Sequence, residues 1–180
     1  VKAANFILHN LKRTDNGLFH TWKNGKSQIN AFLDDYAFLI DAFIKLYSFT
    51  TDGIWLKEAE TLATYVVENL YDSHSGFFWY SENVDNLVFA RKMEIYDGVV
   101  PSGNSVMANV LFTLGTFLHK SEYVDISKQM LQAMETRYSR NPVSYSNWAS
   151  LSLLMSQEVN EIAVIGPDSV SIIKKLKSEK

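Results

Sequence analysis

The sequence predicts an all-α fold of three helical hairpins, followed by a short C-terminal strand–helix tail. Three observations predict it. Six segments carry apolar residues at helical spacing. Those segments alternate between amphipathic and nearly uncharged. The connections alternate as well, short at one end of the helices and mostly long at the other. A helix that is apolar all round is buried on all sides, and one with an apolar stripe covers something. The order outer, inner, outer, inner, outer, inner is that of a two-layer helical toroid, each hairpin giving one helix to each layer.

The composition agrees. The chain has 180 residues, 47% hydrophobic and 21% charged, a globular balance suited to about one domain. Net charge is −3 and the basic residues are scattered, so no nucleic-acid partner is expected. The one basic run, "KKLKSEK" at 174–180, reads as a solvated helix end. Cysteine is absent, which excludes disulfides, thiolate metal sites and thiol catalysis. No signal-peptide pattern and no apolar run of membrane length occurs, so no membrane partner is expected and the cytoplasm is the expected compartment.

The first helix, about Lys2–Leu11, sets Ala3, Ala4, Ile7, Leu8 and Leu11 on one face. No capping residue precedes it, which predicts a chain that begins inside a larger protein. The second, about Phe32–Thr50, is apolar apart from a narrow stripe of Asp34, Asp41, Lys45 and Ser48. The third, about Ile54–Tyr71, turns Lys57, Glu58, Glu60, Thr61, Thr64 and Glu68 outward. The fourth, about Asn104–Leu118, is uncharged. The fifth, about Glu122–Arg140, gathers Tyr123, Ser127, Met130, Leu131, Met134 and Tyr138 on one face. The sixth, about Ser146–Gln157, is again uncharged. After Asn160, "EIAVIG" reads as a strand and "PDSVSIIKKLK" as a capped helix, so residues 1–158 and 159–180 are expected to be separate units.

Two long connections, Lys12–Ala31 and Asp72–Gly103, lie where inner helices start. Long loops in compact domains are often functional, and that end also carries the positive poles of the inner helices. The two loops share a pattern. "RTDNGLFHTW" and "YDSHSGFFWY" each read Asp, polar spacer, Gly, two apolar residues, then an aromatic. Gly17 and Gly76 are roughly sixty residues apart, a repeat of one hairpin and its loop. The plain reading is a glycine at a helix end followed by a short β-hairpin.

Candidate site residues cluster at the inner-helix starts. In "DGVVPSGNS", Asp97–Ser105, Pro101 pre-sets the backbone and Ser102 or Asn104 can cap the fourth helix. Asp97, with Asn104 or Ser105, is then surplus to a plain cap. In "LDDYAF", both Asp34 and Asp35 suit a helix N-terminus, but Asp35 lies about 100° further round, toward the apolar side. A carboxylate there needs partners or a raised pKa. Tyr36 beside it offers a ring or a hydroxyl. In "SYSNWAS", Ser144 or Ser146 caps the sixth helix and sets Asn147 and Trp148 at the same end. Paired carboxylates with aromatic rings are what glycosyl chemistry needs. Asp35 and Asp97 are therefore the candidate catalytic pair. Tyr36, Ser102, Asn104, Ser105, Asn147 and Trp148 are candidate contacts to a sugar ligand.

Other chemistries fare worse. His9, His20, His74 and His119 show no metal-ligand spacing, and none lies near an inner-helix start, so neither a metal nor a complete epimerase site is expected. "PSGNS" is no nucleophile elbow, and no phosphate-binding loop occurs, so no cofactor is expected.

Three strings, "LDDYAFLIDAFIKLY", "WLKEAETLATYVVENLYDSHSGFFWYS" and "YDGVVPSGNSVMANVL", together resemble the C-terminal part of YyaL-type thioredoxin-domain proteins, a family with a spermatogenesis-associated member. The resemblance runs in order from about Ala3 to Gly166. The family motifs map onto Leu33–Ala37 and Asp97–Ser105, with Val99 in place of a small residue. The resemblance implies a thioredoxin-like domain followed by an (α/α)6 toroid like that of six-hairpin glycosidases and N-acylglucosamine epimerases. This chain then corresponds to half of the toroid. The missing half, or self-association through an apolar flank, completes it. The expected function is part of a carbohydrate-handling, glycosidase- or epimerase-like domain. The alternative is a non-catalytic helical scaffold, binding a ligand or partner beside a redox domain.

Overall fold

The computed structural model describes residues 1–83, 91–158, 162 and 164–178. Helix α1 (Lys2–Asn10) leads into a hairpin of β1 (Phe19–Lys23) and β2 (Lys26–Asn30). The turn is Asn24–Gly25, both at positive φ (52° and 75°), the geometry that a two-residue Asn-Gly turn supplies. Helices α2 (Leu33–Thr50) and α3 (Gly53–Leu70) form an antiparallel pair. Thr51 closes α2 in the left-handed region, and the Asp52 side chain caps α3 by accepting from Ile54 N–H at 3.1 Å. A two-residue ladder, β3 (Tyr71–Asp72) with β4 (Phe77–Phe78), follows. Helices α4 (Gly103–Leu118) and α5 (Ser121–Arg140) make the next pair, then a 3-10 turn at Pro142–Tyr145 and α6 (Ser146–Met155). Both loop motifs thus hold β-hairpins. In each, the Asp accepts backbone N–H groups, Asp15 from Gly17 and Asp72 from His74 and Ser75. The Ser75 hydroxyl first, and then these N–H groups, hold the Asp72 carboxyl below its ordinary pKa.

The core is one cluster running through all six helices. Helix α2 packs on α3 and α4, and α4 packs on α5 and α6. Helix α4 is the enclosed one, with eleven of its sixteen residues buried. An uncharged helix can accept that position without leaving a charge unpaired in the interior. Close approach supports it. A Cβ on Gly115 would stand 2.6 Å from Val124 Cγ2, so this position admits α5 only as glycine. Ser127 of α5 donates to the Ala108 carbonyl at 2.6 Å.

Two expectations are corrected. Only Trp148 and Leu151 of α6 are buried, and Leu153 and Leu154 face solvent, so an uncharged sequence alone did not enclose that helix. Helix α2 likewise exposes Phe38 and Phe49. In the tail, the helix is present as α7 (Ser169–Ser178), but the described residues of 162–166 form no strand. Glu161 and Ala163 of that expected strand lie outside the described residues. Among the described residues, no helix is long and apolar enough to cross a membrane.

Candidate functional site

The inner-helix starts do meet. A Cβ on Gly103, first residue of α4, would stand 2.4 Å from Asp34 Oδ1 and 3.0 Å from Leu33 Cγ at the start of α2. Glycine is what lets these two helix mouths touch. Asp97 joins α4 to α6. Its Oδ1 accepts from Ser102 N–H (2.9 Å), Ser102 Oγ (3.3 Å) and Ser105 Oγ (2.7 Å). Its Oδ2 accepts from Asn147 N–H at 2.9 Å. One buried carboxylate therefore sits at two helix N-termini, where free N–H groups and the helix dipoles favour a negative charge. Ser102 is the side-chain cap of α4, accepting from Ser105 N–H. Neither Ser144 nor Ser146 caps α6. Asp97 takes that role from fifty residues away in sequence, which corrects the local expectation.

The surplus polar groups of the motif are also used. Asn104 is fully buried and mimics a strand partner. Its Oδ1 accepts from Phe78 N–H (2.8 Å), and its Nδ2 donates to the carbonyls of Phe78 and Glu94 (3.0 Å each). Asn147 Nδ2 donates to Ser105 Oγ at 3.0 Å. Trp148 is buried, and its Nε1–H donates to the Ile95 carbonyl at 2.9 Å. Tyr36 is buried too, and its hydroxyl accepts from Leu18 N–H and donates to Glu82. In this chain Trp148 and Tyr36 are core rings, not open faces.

The open chemistry lies at the mouth of α2. Asp35 Oδ2 accepts from Phe32 N–H (2.9 Å), closing the first turn. The same oxygen meets His20 Nδ1 at 2.7 Å. The expectation of no histidine near an inner-helix start is overturned, because the β1–β2 hairpin folds His20 back onto α2. Asp35 is thus a cap with two partners, and Asp34 is the uncompensated acid. Asp34 Oδ1 is buried and meets no hydrogen-bond donor among the described residues. Burial raises its pKa, and the charges of Asp35 and Glu94 add to this. The Gly103 N–H and Lys92 oppose it. Phe32 stacks on Tyr80 at 5.1 Å and 13°, His20 meets Phe32 edge-on at 5.1 Å, and Lys92 Nζ lies 4.4 Å from the Tyr80 ring centre. Burial, then Asp34, Asp35 and Glu94, push the Tyr80 phenol up. The mouth is an acid pair beside half-buried aromatic rings.

A second polar cluster braces the loops behind it. Glu82 accepts from Arg13 Nη1 (3.1 Å), Tyr65 OH (2.8 Å), Tyr36 OH (3.3 Å) and Asn30 Nδ2 (3.0 Å). Burial and Glu82 push the Tyr65 phenol up to about 12. Sequence reasoning passed over Glu82 and His20. Glu82 sits in an unpatterned polar run, with no signal to find it. His20 had one: the Asn24–Gly25 turn predicts a hairpin that returns the chain toward α2.

Among the described residues, no group of His, Cys, Asp or Glu could hold a metal ion. No protein-family model matches the chain. It is 32% identical over 127 residues to the uncharacterized protein B0495.5 of Caenorhabditis elegans, covering 71% of this chain and 17% of that protein. It is 28% identical over 146 residues to spermatogenesis-associated protein 20 of Rattus norvegicus, covering 81% of this chain and 18% of that protein. The human protein of the same name is 29% identical over 136 residues, covering 75% and 17%. The chain is related to spermatogenesis-associated protein 20. It spans less than a fifth of the length of the curated relatives it matches.

Proposed function

We propose that the chain is part of a carbohydrate-handling helical domain, with the ligand at the mouth of α2. One observation carries the reading: Asp34 and Asp35 lie beside the Phe32–Tyr80 stack. A pyranose offers an apolar face to aromatic rings and hydroxyls to carboxylates, and glycosyl chemistry needs one protonated and one ionised acid. Asp34, held toward its protonated form, suits the first role. In this reading residues 1–158 form half of an (α/α)6 toroid, glycosidase- or epimerase-like, and 159–180 are its tail. The other half comes from the rest of a longer protein or from a second copy. Asp97 holds α4 and α6 together beneath the ligand, with Ser102, Asn104, Ser105, Asn147 and Trp148 around it.

The test is a thermal-shift panel of aldoses and aminosugars on the full-length protein. At least one sugar is expected to raise the melting temperature, and Tyr80→Ala to abolish that rise. A panel with no shift overturns the reading. A second reading, a non-catalytic scaffold beside a thioredoxin-like domain, is favoured by one observation: Asp97 spends both oxygens on helix N-termini. Under it, no sugar shifts the protein.

A further inference from the structure

We propose that His20 is a proton-transferring base at the mouth of α2, oriented by Asp35 and acting on the anomeric hydroxyl of an aldose. The proposal rests on the carbohydrate reading above and adds a reaction and a residue to it.

Three features of the geometry carry it. Asp35 Oδ2 holds His20 Nδ1 at 2.7 Å, and that oxygen is itself held by the Phe32 N–H. A carboxylate on one ring nitrogen selects the tautomer whose other nitrogen has a free lone pair. Here that nitrogen is Nε2, which has no hydrogen-bond partner among the described residues. The pair is accessible, with 39% of the His20 side chain and 32% of the Asp35 side chain exposed. The third feature is strain. The β1–β2 register pairs Phe19 with Asn30 and Thr21 with Gln28, so His20 lies opposite Ile29. Ile29 has φ 63°, a left-handed conformation that a β-branched side chain rarely adopts. Such strain clusters at functional sites. It falls at the position across from His20, where a distorted ladder can re-aim a side chain.

The step balances without an oxidant or cofactor. His20 Nε2 takes the proton of the anomeric hydroxyl, so an O–H bond breaks and an N–H bond forms. The electron pair left on that oxygen becomes the carbonyl π bond as the bond from the anomeric carbon to the ring oxygen breaks. That bond's pair goes to the ring oxygen, which takes a proton from a water molecule, leaving hydroxide. The product is the open-chain aldehyde. The His20 imidazolium then gives its proton to that hydroxide, restoring water and the neutral ring, and closing the sugar ring on either face completes mutarotation. His20 is the reacting group, and Asp35 is a positioning residue that acts through it.

The test is polarimetry on freshly dissolved α-anomers of glucose, galactose, mannose and N-acetylglucosamine with the full-length protein. The expected result is mutarotation faster than the buffer blank. His20→Gln should lower the rate by about 100-fold or more, while the sugar-induced thermal shift persists. Asp35→Asn should lower the rate and release the His20 tautomer, a change that loss of the cap alone would not make. Nitrogen NMR of His20 gives a readout independent of turnover, and the Nδ1–H tautomer is expected for the neutral ring. Sugar binding with a rate equal to the blank, or an unchanged rate in His20→Gln, overturns this inference and leaves the carbohydrate reading standing. Absence of any sugar binding overturns both.

Discussion

The Asn147 N–H donates to Asp97 Oδ2 at 2.9 Å, across fifty residues of sequence. The other oxygen of the same carboxylate holds the start of α4. Two helices are therefore registered on one buried charge, and the polar string before α4 is explained first as architecture.

Removing that charge has a defined cost. Asp97→Ala leaves the Ser102 and Asn147 N–H groups without their acceptor in a buried site. The expected loss is about 2–4 kcal/mol in urea unfolding. Asp97→Asn keeps the size and one acceptor oxygen, so it should lose less. An Asp97→Ala stability equal to that of the parent would contradict the two-helix role.

Glu82 makes the same argument for the loops. It collects Arg13, Tyr36, Tyr65 and Asn30 with only 11% of its side chain exposed. Glu82→Ala should cost about 2–4 kcal/mol, because Arg13 loses its buried partner. Glu82→Gln should also bring the Tyr65 phenol down from about 12, which ultraviolet titration at alkaline pH reads directly. A Tyr65 titration unchanged in Glu82→Gln would rule out this coupling.

Asp34 sets a pH dependence of stability. Its folded-state pKa lies above the ordinary value, through burial and then Asp35. A raised carboxyl favours the folded state below the unfolded pKa, and that contribution is lost as pH rises through the folded pKa. Asp34→Asn should therefore stabilise the protein at neutral pH. The gain is under about 1 kcal/mol, since water screens a half-buried group. It should shrink as the pH falls toward 4. A gain that grew on acidification would reverse the sign of this argument.

The sequence by itself determined the helices and the Ser102 cap of α4. Apolar spacing placed α1 to α6 within one or two residues, because a 3.6-residue period and a local cap such as Ser102 are written in neighbouring positions. It also singled out the polar string before α4 and the acidic pair opening α2. What Asp97, Asn104 and Glu82 bind was decided only by the tertiary structure, since their partners lie 26 to 69 residues away in their longest bonds. The same holds for the contrast between Asp34 and Asp35. Rotation by one helical step turns Asp35 toward the apolar side, yet a hairpin brings His20 to it at a part-exposed position while Gly103 buries Asp34 instead. Burial of α4 and exposure of α6 were settled there as well, because an uncharged helix is enclosed only where neighbours exist to cover it.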